Sequence, residues 1–348
     1  MNVRALALLL CLWPLTLAAQ GFSGLGSQAG DAFANPVCGT VLTFPRDHGP
    51  HPDYRIEWWY LTANLRGADG TDYGLQWTLF RSALRPGEDT GWASPQIWFG
   101  HAAITTPDRH FATERFARGG IGQAGVTADP FDAWIDEWHL SGTDFDRLDL
   151  VAQGPDFAYD MALTAQGPLV FHGDNGFSVK SEQGQASYYY SQPFYRIEGT
   201  LTLPHGDVAV TGTAWLDREW SSQPLSEDQS GWDWFSLSFD DGTKMMGFQL
   251  RQTDGSAFGS GTWIEADGTT HAFADEAMTA TPLATSAVAG REIPTRWRVT
   301  LPERGVDVTV EALNTQAWMG LTVPYWEGPV RISGSHGGVG YLEMTGYE

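Results

Sequence analysis

A chain of 348 residues is long enough for two domains of ordinary size, each with its own core. A formal net charge of -22 makes an acidic surface that phosphate repels, which excludes nucleic acid as a partner class. With 41 glycines, 16 tryptophans, 18 phenylalanines and Thr-rich alternating runs, the composition points to β structure rather than to helical bundles.

The chain opens with a short charged region ending at Arg4, then an apolar run from Ala5 to Ala18 that is too short to span a bilayer. Small residues at Ala18 and Ala19 complete the pattern of a signal peptide over residues 1–19, and the expected destination is the periplasm or beyond. Loss of Cys11 with that segment leaves Cys38 as the one cysteine, so no intramolecular disulfide forms and stability rests on packing. Residues 20–40 begin Gly/Ser/Ala-rich and read as a flexible leader. A proline-held polar loop at 44–53 carries Asp47, His48, His51 and Asp53.

The first clear strand covers 55–65, turns at Asp69-Gly70, and returns over 73–81 as a hairpin. Strand-like runs follow at 96–104, 131–140, 147–153 and 157–165, while 109–123 is open between a short helix and a loop. Residues 187–221 read as two strands around a turn at 204–207, and their end packs Trp215, Asp217, Arg218, Glu219 and Trp220 into six positions. A polar connector at 222–231 divides the chain into a domain at 41–222 and another at 223–348. Beyond it lie strand-like runs at 232–239, 243–252, 261–265, 295–301, 306–311 and 330–347. The second half also echoes the first: Glu57-Trp-Trp-Tyr60, a Gly-Thr turn and Gly74-Leu-Gln76 are matched by Trp232-Asp-Trp-Phe235, Gly242-Thr243 and Gly247-Phe-Gln249. The fold expected is all-β, two antiparallel β-barrel-like domains packed together.

Alternate residues of a strand share a face, so Trp215, Asp217 and Glu219 point one way and Leu216, Arg218 and Trp220 the other. If the first set lines a cavity, two carboxylates about 7 Å apart beside an indole raise one carboxyl pKa and make a proton donor. The alternative is a strand end where both are solvated or paired with arginines. Glu57 and Trp59 share one face, Trp58 and Tyr60 the other, and either a packed core or a cavity wall with Glu57 as second acid accounts for them. Tyr188 and Tyr190 alternate with Tyr189, one set available to a ligand and the other to the core. The nine histidines show no tight metal-ligand spacing, and no nucleophile elbow, P-loop or dinucleotide fingerprint is present. No metal and no cofactor are expected, and acid catalysis or plain binding is favoured over acyl-enzyme chemistry.

Four separated motifs carry a resemblance: Glu57-Trp-Trp-Tyr60, Tyr189-Tyr-Ser191, Gly212-Thr-Ala-Trp-Leu-Asp-Arg-Glu-Trp220 and Gly340-Tyr-Leu-Glu-Met-Thr-Gly-Tyr347. Together they resemble the carotenoid 1,2-hydratase (hydroxyneurosporene synthase) and AttH-type lipocalin-like superfamily, over nearly the whole mature chain. The resemblance implies two lipocalin-like antiparallel β-barrel domains with an apolar ligand site in or between them. By the same resemblance Asp217 is the acid, with Glu57 and Glu219 as partners and Trp59, Tyr188, Tyr190, Trp215 and Trp234 as the ligand wall. The implied chemistry is protonation of an alkene, a carbocation beside aromatic faces, and capture by water. Arg218-Glu219 stands where the hydratases carry histidine, a departure that resembles the AttH-type branch more closely. The expected function is an exported protein that binds a terpenoid- or lipid-like molecule and performs cofactor-free acid–base chemistry on it. The alternatives are a non-catalytic carrier or lipid chaperone associated with an envelope membrane or transporter, and a secreted hydrolase. The sequence leaves the oligomeric state open.

Overall fold

The computed structural model describes residues 32–223 and 228–347, and these residues form almost entirely β structure. The segment read as a signal peptide, and most of the leader, lie outside the described residues. The leader's described end is tied down: the Ala34 amide donates to the Asp53 carbonyl (2.9 Å) and the Val37 amide to the Tyr188 hydroxyl (2.8 Å).

The first sheet contains β1 (Ile56–Gly67), β2 (Asp72–Ala83), β3 (Gln96–Thr105), β4 (His110–Arg118), β5 (Ala124–Ala128), β6 (Phe131–Ile135), β7 (Trp138–Asp144), β8 (Arg147–Gln153) and β9 (Ala158–Ala165). Two short strands, β10 (Val170–Phe171) and β11 (Phe177–Val179), precede the long pair β12 (Ala186–Leu203) and β13 (Gly206–Ser221). The sheet runs β4-β3-β2-β1-β13-β12-β9-β8-β7-β6-β5 and curls into a near-barrel. The second sheet contains β14 (Gln229–Phe239), β15 (Lys244–Gln252), β16 (Ala257–Ile264), β17 (Thr270–Phe273), β18 (Thr279–Val288), β19 (Arg291–Leu301), β20 (Val306–Ala312), β21 (Trp318–Met319), β22 (Tyr325–Gly334) and β23 (Gly338–Met344). Its order is β17-β16-β15-β14-β23-β22-β20-β19-β18, antiparallel throughout.

The sequence echo is also a topological one. β1 and β14 open their sheets, each followed by its hairpin partner and a third strand, and each flanked on the other side by its sheet's last long strand. The two hairpins turn by the same chemistry. Gly70 and Gly242 take φ of +84° and +90°, where side chains are strained, and the preceding Asp69 and Asp241 accept the amides of Thr71 and Thr243.

The segment 109–123, left open between helix and loop, is largely the edge strand β4. It pairs with β3 from Arg118 opposite Ile97 to His110 opposite Thr105. An edge strand is partly solvated on both faces, so its residues need not alternate in polarity, and the period that marks a strand is weak there.

Each sheet encloses its own core. Trp59, Trp77, Trp98, Trp138 and Trp220 fill the first and Trp297 and Trp326 anchor the second. A third cluster joins the sheets, with Tyr60, Tyr189 and Trp215 meeting Trp234, Met246 and Tyr341. The approach is close enough that a Cβ on Gly74 would lie 2.5 Å from the Pro329 ring. Among the described residues no helix is long and apolar enough to cross a membrane.

Candidate functional site

Cross-strand neighbours in a sheet project from the same face, so the register decides what faces the second sheet. One row runs Tyr60, Asp217, Ser191 across β1, β13 and β12, and the next runs Trp58, Glu219, Tyr189. Both rows face outward, toward the second sheet. The intervening rows, Trp59–Arg218–Tyr190 and Glu57–Trp220–Tyr188, face into the first near-barrel.

The outward rows form one wall of a cleft of about 960 Å³, counting the part open to solvent. Trp58, Tyr60 and Tyr189 supply aromatic surface from the first sheet, and Trp232, Trp234 and Phe248 supply it from the second. Asp217 and Glu219 line it on the first side and Glu343 on the second.

Asp217 is only 2% exposed. Its Oδ1 accepts from the Ser191 hydroxyl and from Trp215 Nε1 (2.7 Å). His172 Nε2 lies 2.6 Å from Ser191 Oγ, and its Nδ1 lies 2.9 Å from Thr262 Oγ1 on the second sheet. Because the Ser191 proton goes to the carboxyl, His172 must carry its proton on Nε2 and accept from Thr262 on Nδ1. Ser191 and Trp215 therefore converge on Oδ1, and the Tyr189 hydroxyl bonds the same carboxyl. Burial pushes the Asp217 pKa up to about 7, against the lowering effect of its hydrogen bonds and with a further push from the Glu219 charge. Glu219 is held by the Ser187 hydroxyl and by Lys180 Nζ at 2.8 Å. Lys180 itself lies over the rings of Tyr189 (4.8 Å) and Phe248 (4.4 Å).

Four residues assigned to the site from sequence lie elsewhere, and the register explains all four. Glu57 sits inside the first near-barrel, bonded to Arg81 Nε (2.9 Å), Arg218 Nη2 (2.7 Å) and His51 Nδ1 (2.6 Å). Burial alone would raise its pKa, but the charges of His51, Arg218 and Arg81 hold it well below the usual carboxylate range, so it is an ion-pair anchor. Trp59 is fully buried beneath the Arg218 guanidinium, 3.9 Å from the ring centroid. Tyr188 bonds Thr40 Oγ1 (2.8 Å) and Tyr190 bonds His48 Nδ1 (2.7 Å), both on the inward face. Arg218 therefore neutralises Glu57 rather than Asp217.

Asp217, Glu219 and Trp234 lie at the cleft, and Trp215 stands beside it with its indole on Asp217. Sequence reasoning missed Trp58, Tyr60, Tyr189, Phe248, Lys180 and Glu343. The alternation that separates Trp58 and Tyr60 from Trp59 was legible, but which set faced the ligand was not. Among the described residues no group of three or more His, Cys, Asp or Glu side chains is arranged to hold a metal ion.

The AttH-like family matches residues 35–347 of the chain. Among solved structures, an AttH candidate from Nitrosomonas europaea is 34% identical, with a TM-score of 0.83 over 90% of this chain and 99% of its own. Kievitone hydratase from Nectria haematococca, 15% identical, shares the fold with a TM-score of 0.67 over 91% of this chain and 96% of its own. CghA, solved with Sch210972, is 13% identical and shares it at 0.56 over 91% and 97%. No curated protein matches the sequence. A match spanning nearly all described residues, with 34% identity to an AttH-type structure that is covered over 99% of its length, means that the chain belongs to the AttH-like family.

Proposed function

We propose that the protein is a hydratase-type enzyme that binds an apolar, terpenoid- or lipid-like molecule in the inter-sheet cleft and protonates an alkene carbon from Asp217. One observation carries this reading. Asp217 is a buried carboxyl, held on one oxygen by Ser191 and Trp215, with a pKa near 7 at the wall of an aromatic cleft. Such a group is protonated in a useful fraction at neutral pH, and the Trp and Tyr faces around it stabilise a developing carbocation. The hydratase among the structural neighbours adds weight to this choice of chemistry.

The carrier reading uses the same cleft but gives the raised carboxyl no task. The hydrolase reading has less support. Ser191 stands between His172 and Asp217, but it is fully buried and spends its proton on Asp217, so it is not poised as a nucleophile. The N-terminal pattern supports export to the periplasm or beyond, which sequencing of the N-terminus of protein from the envelope fraction tests.

The decisive experiment combines native mass spectrometry of the protein from its own envelope, which identifies a co-purified ligand, with turnover assays on Asp217→Asn. The variant is expected to lose about 100-fold or more in turnover while ligand affinity changes by less than about threefold (about 0.7 kcal/mol). Turnover in the wild type should fall as pH rises through about 7, where Asp217 gives up its proton. Unchanged turnover in Asp217→Asn removes the acid assignment, and a wild type that binds without turnover leaves the carrier.

A further inference from the structure

The wall opposite Asp217 carries a second carboxyl pair. In the second sheet Glu343 on β23 pairs directly with Glu327 on β22 and with Trp234 on β14, so all three project toward the first sheet. Glu343 Oε1 accepts from Trp232 Nε1 (2.9 Å), and the residue lines the cleft. Glu327 lies deeper, 1% exposed, and accepts from the Tyr60 hydroxyl (2.5 Å). Two adjacent carboxylates in a buried site cannot both ionise cheaply. Burial and the Glu343 charge push the Glu327 pKa well up, so Glu327 is the member that keeps its proton. Glu343 is left as the member that exchanges a proton with the cleft, raised to about 7 by burial, with the Glu219 charge across the cleft pushing the same way.

A hydration needs two proton transfers, one to carbon and one from the attacking water. We propose that Glu343 is the second catalytic residue of the cleft, the base that takes a proton from the attacking water while Asp217 serves the alkene from the opposite wall. This rests on the hydration reading above. The Asp217 O–H bond breaks and the alkene π pair forms the new C–H bond, leaving a tertiary cation. A lone pair of water then forms the C–O bond, one O–H bond of that water breaks, and its proton passes to the Glu343 carboxylate. Exchange with solvent through the open side of the cleft returns Asp217 to the acid and Glu343 to the carboxylate. The groups facing Glu343 are Glu327 from β22, Trp232 from β14, and Tyr60 and Glu219 from the first sheet.

The two steps are separable by isotope. A panel of prenylated phenols and acyclic terpenes is incubated with the full-length protein in D2O and, separately, in 18O-water. The wild type is expected to introduce both deuterium and 18O. Glu343→Gln keeps an oxygen for Trp232 and should fold. It is expected to retain deuterium exchange into the alkene, because protonation is reversible, and to lose about 100-fold in 18O incorporation. Glu343→Asp, which keeps the charge with a shorter reach, is expected to lose 18O incorporation about tenfold and serves if the glutamine variant does not fold. Asp217→Asn should lose both isotopes. Incorporation of 18O at the wild-type rate by the Glu343 variants overturns the inference and leaves the acid assignment standing. Loss of both isotopes from Glu343→Gln that still binds the probes also overturns it, since Glu343 would then act in the first step. A wild type that introduces neither isotope overturns the hydration reading itself.

Discussion

At the scale of single residues, a carboxyl with a raised pKa links function to stability. Asp217 titrates near 3.8 when unfolded and near 7 when folded, so between those values the folded state binds the proton and the unfolded state does not. Stability therefore falls as pH rises from about 4 to about 7. The upper bound for Asp217 alone is on the order of 4 kcal/mol, taking about 1.4 kcal/mol for each tenfold difference in proton affinity between the two states. Glu343 acts in the same direction. Asp217→Asn is expected to reduce the loss of melting temperature between pH 5 and pH 8 and to melt above the wild type at pH 8. Equal melting temperatures of variant and wild type at both pH values would show that Asp217 is not buried as an acid. Glu57 makes the contrast: it too is a fully buried carboxylate, but two guanidiniums and a histidine keep it ionised. Both acids sit beside tryptophans in similar local sequence, so only the partners distinguish their roles.

At the scale of strands, β12 explains why the site was half legible. Its run of Tyr188, Tyr189 and Tyr190 shows that adjacent rings face opposite ways, and β13 shows the same for Asp217 and Arg218. Alternation holds through the pairing until Gln192, where Pro193 falls in a register shift before Tyr195. Alternation cannot say which face meets a ligand when both are apolar, because an aromatic run satisfies core and cleft equally well. The paired substitutions separate the faces. Tyr189→Ala, on the cleft side, should weaken binding of the co-purified ligand about tenfold, or about 1.4 kcal/mol. Tyr190→Phe should leave affinity unchanged but cost about 1–3 kcal/mol of stability in urea, because His48 loses its buried partner. The opposite pattern would mean the faces are reversed.

At the scale of the whole molecule, the cleft exists because two curled sheets press aromatic faces together. The third aromatic cluster belongs to neither near-barrel alone, and polar contacts cross with it: Tyr60 to Glu327, His101 to Tyr325 (2.9 Å), His172 to Thr262, and Asn314 Nδ2 to the Thr106 carbonyl (3.0 Å). An interface of this apolar and hydrogen-bonded character couples the unfolding of its two sides. Urea denaturation is expected to give one transition, with coincident midpoints by tryptophan fluorescence and far-UV circular dichroism. Two separated transitions would show that the sheets unfold independently.

Hairpin turns, aromatic density and strand alternation are local properties, and the sequence by itself determined them. It yielded an all-β chain, two related sheets and the division of β1, β12 and β13 into faces. The motif resemblance added the family and Asp217. Only the tertiary structure decided which faces meet. It buried Glu57, Trp59, Tyr188 and Tyr190 inside the first near-barrel and set Tyr189, Trp58, Tyr60 and Glu343 around Asp217. The reason is physical: register and sheet packing bring together residues such as Asp217 and Glu343 that are far apart in the chain. The pKa that makes an acid depends on that enclosure rather than on the residue's neighbours in sequence.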